Sequence, residues 1–369
     1  MSAEIYFSSA RGRKSLLDKL RLLIRRSGIL SDIRRGDIVA VKVHVGERGN
    51  TRFVRPQFIR IVVEELKSIG AKPFVTDTNT LYRAYRWNAV DHIETAVLHG
   101  FTYEVMGAPF IIGDGIKGMY EVVVKVDGTR VKEAYLAGIL QEIDYAVVVT
   151  HFKLHELTGI GGAMKNVAMG FSSRRGKLHM HTAMVPKPDY SICIRCGTCA
   201  RMCPANAISM TPQGPVIDYS KCRACGFCIT VCPVEAMKTE SVDSQECIAR
   251  MVDYCKAVYT FLHGRMSFLN IVMDVKPECD CAPYAELPIV PDIGILASKD
   301  MVAIDKASTD LVNASPGIEG SVLPREALAP GIDKIYTLYP HSSYTTFFEL
   351  GEKLGLGVAR YNLIEVEPT

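Results

Sequence analysis

No apolar run in the 369-residue chain approaches the roughly 20 residues needed to cross a bilayer, so a membrane is not expected as a partner. The first residues, MSAEIYFSSARGRKS, lack the compact apolar stretch and small-residue cleavage site of a secretory signal. Neither Arg25-Arg26 nor Arg34-Arg35 is followed by such a stretch. Charge is close to balanced, with 43 Lys and Arg against 40 Asp and Glu for a net of +3. Residues 1–52 do carry twelve bases against five acids. However, KSLLDKLRLLIRRSGIL sets Leu16, Leu20, Leu23 and Ile24 on one helical stripe, which makes the bases a solvated face. No stacked aromatic series or nucleic-acid motif accompanies them, so nucleic acid is not the expected partner, and an acidic redox protein is the second reading of that face. Tryptophan is nearly absent: Trp87, with Tyr82 and Tyr85, reads as packing or pocket lining.

Cysteine is plentiful. Eight of the twelve stand in two copies of one pattern, Cys193-x-x-Cys196-x-x-Cys199-x-x-x-Cys203-Pro204 and Cys222-x-x-Cys225-x-x-Cys228-x-x-x-Cys232-Pro233. A tight C-x-x-C-x-x-C loop supplies three thiolates to a cubane iron-sulfur cluster, and the fourth must come from elsewhere. Zinc knuckles have no use for the third evenly spaced cysteine, and disulfide frameworks belong to small secreted domains. Gly197 and Gly226 remove side chains where each loop must wrap closely. Cluster chemistry and the remaining thiols give a reducing cytoplasm as the expected compartment.

Residues 186–240 resemble the bacterial-type two-cluster ferredoxin domain, with CIRCGTCARMCPANAI matching CRACGFCITVCPVEAM position by position. In such domains the last cysteine of each run serves the other cluster. The resemblance therefore implies one 4Fe-4S cluster on Cys193, Cys196, Cys199 and Cys232, and a second on Cys222, Cys225, Cys228 and Cys203. Ile194, Ile208, Ile217, Ile229 and Val231 are expected to pack around them.

A composition of 48% hydrophobic and 22% charged residues suits a sizeable buried core. Outside the cysteine-rich segment, strand and helix alternate. Strands are predicted at 37–45, 73–78, 110–112, 121–126, 145–150, 269–275 and 292–296, and helices at 55–69, 88–99, 163–170, 244–262 and 300–313. The fold class that follows is an α/β host with a mostly parallel sheet, interrupted by an inserted α+β two-cluster ferredoxin-like domain. The host spans 1–185 and 241–369, with PKPDYS and MKTESVDS as linkers.

The host blocks VAVKVHVGERGNT at 39–51, HFKLHELTGIGGAMKNVAMG at 151–170, KLHMH at 177–181 and DVKPECDCAPYAELPIVPDIGILASKDMVAIDKAS at 274–308 resemble Domain of Unknown Function 362, a family often found with a two-cluster ferredoxin. The resemblance implies an iron-sulfur protein and assigns no reaction. A more distant similarity links the layout of lysine, histidine and Gly-Gly-x-x-Lys to the nickel-pincer lactate racemases, without enough of their pattern to carry over that cofactor or activity.

Two host sites follow from residue type and placement. Gly159, Gly161 and Gly162 precede the helix at 163–170, so its free N–H groups are expected to meet an anion. Lys42, His44, Arg48, Lys153 and His155 leave strand ends where α/β proteins bind ligands. A small carboxylate or phosphate is expected there, with Lys42, Gly161, Gly162 and Lys165 binding it and Lys165, Lys153 and His155 as catalytic candidates. The second site is Cys279-Asp280-Cys281 with His179-x-His181, either four ligands for an extra metal or redox-active thiols. Alternate residues of an extended chain point apart, so the cysteines converge only if the chain turns, which Pro277 and Pro283 permit. Cys247 and Cys255 are expected in the core. The reading is an iron-sulfur electron-transfer protein or oxidoreductase acting with a redox partner protein. The alternatives are a non-catalytic carrier or cluster-handling protein, and a non-redox metal-dependent enzyme with structural clusters.

Overall fold

A computed structural model describes residues 2–222 and 225–367. Its centre is an eight-stranded sheet built from β1 (Ala3–Ser9), β2 (Ile38–Lys42), β3 (Lys72–Asp77), β4 (Phe110–Ile112), β5 (Tyr145–His151), β6 (Met266–Val272), β7 (Gly294–Ser298) and β8 (Tyr361–Glu365). The spatial order is β8-β1-β7-β6-β5-β2-β3-β4. Neighbours run parallel except around β7, which is antiparallel to both β1 and β6. An α/β fold with a mostly parallel sheet is therefore present.

The strands alternate between two apolar cores. Val39, Val41, Tyr145, Val147, Val149, Leu269 and Ile271 face one layer, with the helices Leu16–Ser27 and Pro56–Ile69 above them. Ala146, Val148, Phe268 and Val272 face the other, under the helices Ala163–Gly170, Ser244–Phe261 and Met301–Ala314. Each fully buried Val, Leu, Ile or Phe contributes roughly 1.5–3 kcal/mol relative to exposure, which is why the central strands read as unbroken apolar runs. Helix boundaries follow local chemistry. Pro56 opens its helix, Gly70 closes it with φ 87°, and the Asp243 carboxylate accepts the Glu246 N–H at the start of the 18-residue helix.

The predicted strands at 269–275 and 292–296 lie instead at Met266–Val272 and Gly294–Ser298. The outer strands β1 and β8 were not foreseen. Both sit near the chain ends and pair with each other, a long-range match with no local signature. Among the described residues, no helix is long and apolar enough to cross a membrane.

The two ends of the cysteine-rich segment lie side by side. Lys187–Pro188 pairs antiparallel with Met237–Lys238, and Ala183 donates its N–H to the Glu240 carbonyl at 2.8 Å. Between them lie a hairpin, Ile208–Thr211 with Gly214–Ile217, and two one-turn helices, Thr198–Arg201 and Phe227–Thr230.

Candidate functional site

The two cysteine runs fold as near copies. Gly197 and Gly226 precede the short helices at φ 71° and 70°, a left-handed conformation that a side chain would strain. Ala207 donates its N–H to Cys203 Sγ at 3.3 Å, and Ala236 donates to Cys232 Sγ at 3.2 Å. Two small cavities result. Cys193, Cys196, Cys199 and Cys232 line one, and Cys203, Cys222, Cys225 and Cys228 line the other. Ile208 shares a small buried cluster with Cys199, Cys228 and Met237, against which Ile217 and Ile229 pack. Ile194 departs from its expected packing role: it lines the first cavity from outside and is 60% exposed.

The host site is a cavity of about 350 Å³ at the C-terminal ends of β2, β3 and β5. Lys42, His44, Lys153, His155, Lys165 and Cys279 all line it, so the topology brings the predicted strand-end groups together. Arg48 is elsewhere, with Glu94 at 3.4 Å and its guanidinium over the Tyr85 ring.

Two features bear on the predicted anion site. The start of the Ala163–Gly170 helix is already occupied: Asp305 accepts the N–H groups of Ala163 at 2.6 Å and Met164 at 2.9 Å. A Cβ on Gly162 would collide with that carboxylate, so this glycine makes room for an internal anion, whereas Gly161 makes room for the Lys153 side chain. The strand-end lysines are also neutralised. Lys42 pairs with Asp77 at 3.0 Å and donates to Asn166 Oδ1 at 2.8 Å, and Lys153 pairs with Asp280 at 3.0 Å. Buried charges need such partners, and sequence alone did not identify them.

The crevice walls and the side chains directly behind them, His92 at 3.6 Å from Asp77 among these, carry strongly shifted groups. Burial would raise Asp77, but Lys42 and the neighbouring histidines hold it well below the usual carboxylate range. Burial pushes His92 down to about 4 and His44 well below its ordinary value. Lys177, 4.0 Å from Asp114, is pushed down to about 8 by burial, and the same burial raises Asp114 to about 6. Such concentration of perturbed groups in one crevice marks a functional-site candidate.

At the crevice wall the chain turns. Ala282 donates its N–H to the Cys279 carbonyl at 3.0 Å, folding Cys279 and Cys281 toward one another. Asp280, between them, points away toward His151 Nδ1 at 2.8 Å and two cations, Lys153 Nζ at 3.0 Å and Lys276 Nζ at 3.4 Å. Donor atoms of Cys279, Cys281 and His155 lie within 4.8 Å of one another. His155 thus takes the place foreseen for the two later histidines. His179 turns to the Tyr254 hydroxyl at 3.1 Å and the Tyr135 ring. His181 lines the crevice with Nδ1 3.4 Å from Cys247 Sγ, and burial lowers it to about 3.

Lys165 Nζ donates to Cys279 Sγ at 3.6 Å. The hydrogen bond from Cys281, with Lys165 and His155 beside it, holds the Cys279 thiol well below its ordinary value, and the same bond pushes Cys281 up. His155 Nδ1 accepts the N–H groups of Leu157 at 3.1 Å and Thr158 at 3.2 Å. Its proton therefore sits on Nε2, which is left as the donor toward Cys279. Ligating histidines ordinarily donate from their second nitrogen, the reverse of this arrangement. Tyr82 borders the pair, donating to the Cys281 carbonyl at 3.3 Å. With Leu81 it lines both the crevice and a groove that continues to Ile229 and Cys232.

The fold and site define an α/β protein with a cysteine-rich segment and a thiol-bearing crevice at the ends of its parallel strands. The chain belongs to the family described as a domain of unknown function (DUF362), which matches residues 39–310. No curated protein matches it. Among solved structures it is similar to the lactate racemase apoprotein from Thermoanaerobacterium thermosaccharolyticum, at 12% identity and TM-score 0.39, over 74% of this chain and 51% of that one. It is also similar to a structural-genomics target from Thermotoga maritima, at 10% identity and TM-score 0.39, over 76% and 54%. The chain thus spans about half the length of each.

Proposed function

We propose that the chain is an iron-sulfur redox protein whose insert, a two-cluster ferredoxin-like domain, holds two 4Fe-4S clusters and exchanges electrons with a small-molecule site in the host crevice. The observation that carries this reading is the pairing of cysteines around the two cavities: each is lined by three cysteines of one run and the last cysteine of the other. That is the exchanged division found in two-cluster ferredoxins, with four thiolates for each cubane. When bound, such clusters supply one-electron transfer, each taking up or giving one electron. The protein's own part is to aim the eight sulfurs, donate N–H groups to Cys203 and Cys232, and keep Ile208, Cys199 and Cys228 away from water. The groove from Cys232 past Leu81 and Tyr82 gives the insert and crevice a shared wall.

The test is iron and sulfide analysis of protein purified or reconstituted without oxygen, where about eight of each per chain are expected from two cubanes. A plateau near four with all eight cysteines intact would sink the reading. Cys203→Ser should impair the cluster on Cys222, Cys225 and Cys228 more than the one on its own run. The reverse ranking by electron paramagnetic resonance would overturn the ligand assignment.

A further inference from the structure

We propose that Cys279 and Cys281 form a redox-active dithiol that reduces a low-molecular-weight disulfide bound in the crevice, with Cys279 as the attacking thiolate and Cys281 as the resolving thiol. This deepens the redox reading above and rests on it for the electrons that restore the dithiol.

Four observations place the chemistry here. The turn closed by Ala282 N–H to Cys279 O brings two thiols together that an extended chain would separate. Asp280 fixes that turn from behind through His151, Lys153 and Lys276, so the cysteines are held by a rigid buried network. Lys165, the imidazole of His155 and the thiol of Cys281 all surround the Cys279 sulfur, the electropositive setting that stabilises a thiolate. A cavity of about 350 Å³ opens on the pair, within the size range of small-molecule sites. The orientation of His155 favours thiol chemistry over metal ligation, because its lone pair is already taken by Leu157 and Thr158.

The steps balance. The Cys279 thiolate attacks one sulfur of the substrate disulfide, forming a mixed disulfide and expelling one thiolate. That leaving thiolate takes the Cys281 proton. The resulting Cys281 thiolate attacks the Cys279 sulfur, closing an intramolecular disulfide and expelling the second thiolate, which takes a proton from water. One dithiol in its monoanionic form, one disulfide and one proton become one protein disulfide and two small thiols. Two electrons and one proton then return the protein disulfide to its starting state, and a low-potential one-electron iron-sulfur donor supplies the electrons.

The experiment exposes full-length protein, prepared without oxygen, to bis(2-hydroxyethyl) disulfide. Alkylation with iodoacetamide and peptide mass spectrometry then locate every modified cysteine. The expected result is release of two thiols, loss of the Cys279 and Cys281 alkylation sites, and recovery of both sites with dithiothreitol. Cys281→Ser should trap the mixed disulfide on Cys279, and Cys279→Ser should leave Cys281 unmodified. Lys165→Ala should slow adduct formation roughly tenfold, the low end of what a hydrogen bond to a charged group contributes. Failure of the unmodified protein to lose these two sites overturns the proposal, as does a stoichiometric non-iron metal that disappears only when Cys279 is replaced. Iron and sulfide measured on the same samples judge the cluster reading separately, since exchange with the probe needs no cluster. Full iron with an inert Cys279 defeats only the dithiol, whereas an active dithiol in protein that cannot be loaded with iron defeats only the clusters.

Discussion

Asp305 caps Ala163 from 142 residues away, its carboxylate accepting the Ala163 N–H at 2.6 Å. Met164 and the Asn270 side-chain amide donate to the same carboxylate, both at 2.9 Å. The positive end of the Ala163–Gly170 helix thus meets a built-in anion, and Lys165, one turn in, is left to the sulfur of Cys279.

That carboxylate should give stability a recognisable pH dependence. Burial raises Asp305 from 3.8 to about 6, against the pull of its three donors. A carboxyl group raised in the folded state binds its proton more tightly there than in the unfolded chain, so its stabilising contribution is complete below about pH 4 and is lost as pH rises to about 6. At about 1.4 kcal/mol per unit, the loss is on the order of 3 kcal/mol. Urea unfolding of the native protein and Asp305→Asn between pH 4 and 7 should show the difference shifting in favour of the asparagine across that window, then levelling. A pH-independent difference would mean that Asp305 is ionised throughout.

Asp280 works in the opposite sense. Although burial opposes it, His151, Lys153 and Lys276 hold its carboxyl group well below the usual range. Its contribution is present above about pH 4 and is lost as pH falls through the depressed folded value. Asp280→Ala leaves the buried Lys153 without its carboxylate, while Lys276 keeps Glu278 at 3.3 Å, and should cost roughly 3–5 kcal/mol, the range for breaking a buried ion pair from one side. A cost below about 1 kcal/mol by chemical denaturation would show that water replaces the carboxylate freely.

Much of this was legible in the sequence, and the limits have physical causes. The helices at 55–69 and 163–170 could be read because Pro56, Gly70 and the glycine run punctuate an apolar period. The cysteine runs were legible because each keeps its spacing within one loop and one short helix. The crevice lysines were found by type, but their partners were not: Asp77, Asp280 and Asp305 lie 35, 127 and 142 residues from Lys42, Lys153 and Ala163. No local pattern encodes those pairings. His155 reads from the sequence as a catalytic candidate at a strand end, and its place beside Cys279 follows only from a turn whose direction no hydrophobic period reports. The one hint for Asp305 itself, though not for its partner, is an acid at a core-facing position of the helix Met301–Ala314.

The remaining thiols should be inert. Cys247 and Cys255 are fully buried in the long helix, and burial pushes Cys247 up to about 12 and Cys255 higher still. The Cys255 thiol donates to the Met164 carbonyl at 3.1 Å, so it is both enclosed and satisfied. Iodoacetamide at pH 8 should leave both unmodified in the folded protein while Cys279 reacts, because attack requires the thiolate. Equal labelling of Cys247 and Cys279 under native conditions would remove the distinction between core thiol and site thiol.

Gly162 offers a direct check on the architecture of the crevice. Its backbone, at φ −99° and ψ −164°, is open to any residue, so alanine there carries no conformational penalty. Its surroundings are not open: an added Cβ would collide with Cγ and both oxygens of Asp305, whereas at Gly331 or Gly355 it would meet nothing within 4 Å. Gly162→Ala should therefore destabilise the protein by about 1–3 kcal/mol, the usual cost of overpacking. Asp305→Ala alone should cost a similar amount by stranding two helix N–H groups and the Asn270 amide. Combining them should cost less than the sum, since removing the carboxylate creates the space that the methyl group needs. The expected coupling is about 0.5–3 kcal/mol. Strict additivity in a double-mutant cycle would place the Asp305 carboxylate away from the helix start and would restore Gly161 and Gly162 as candidates for binding an external anion.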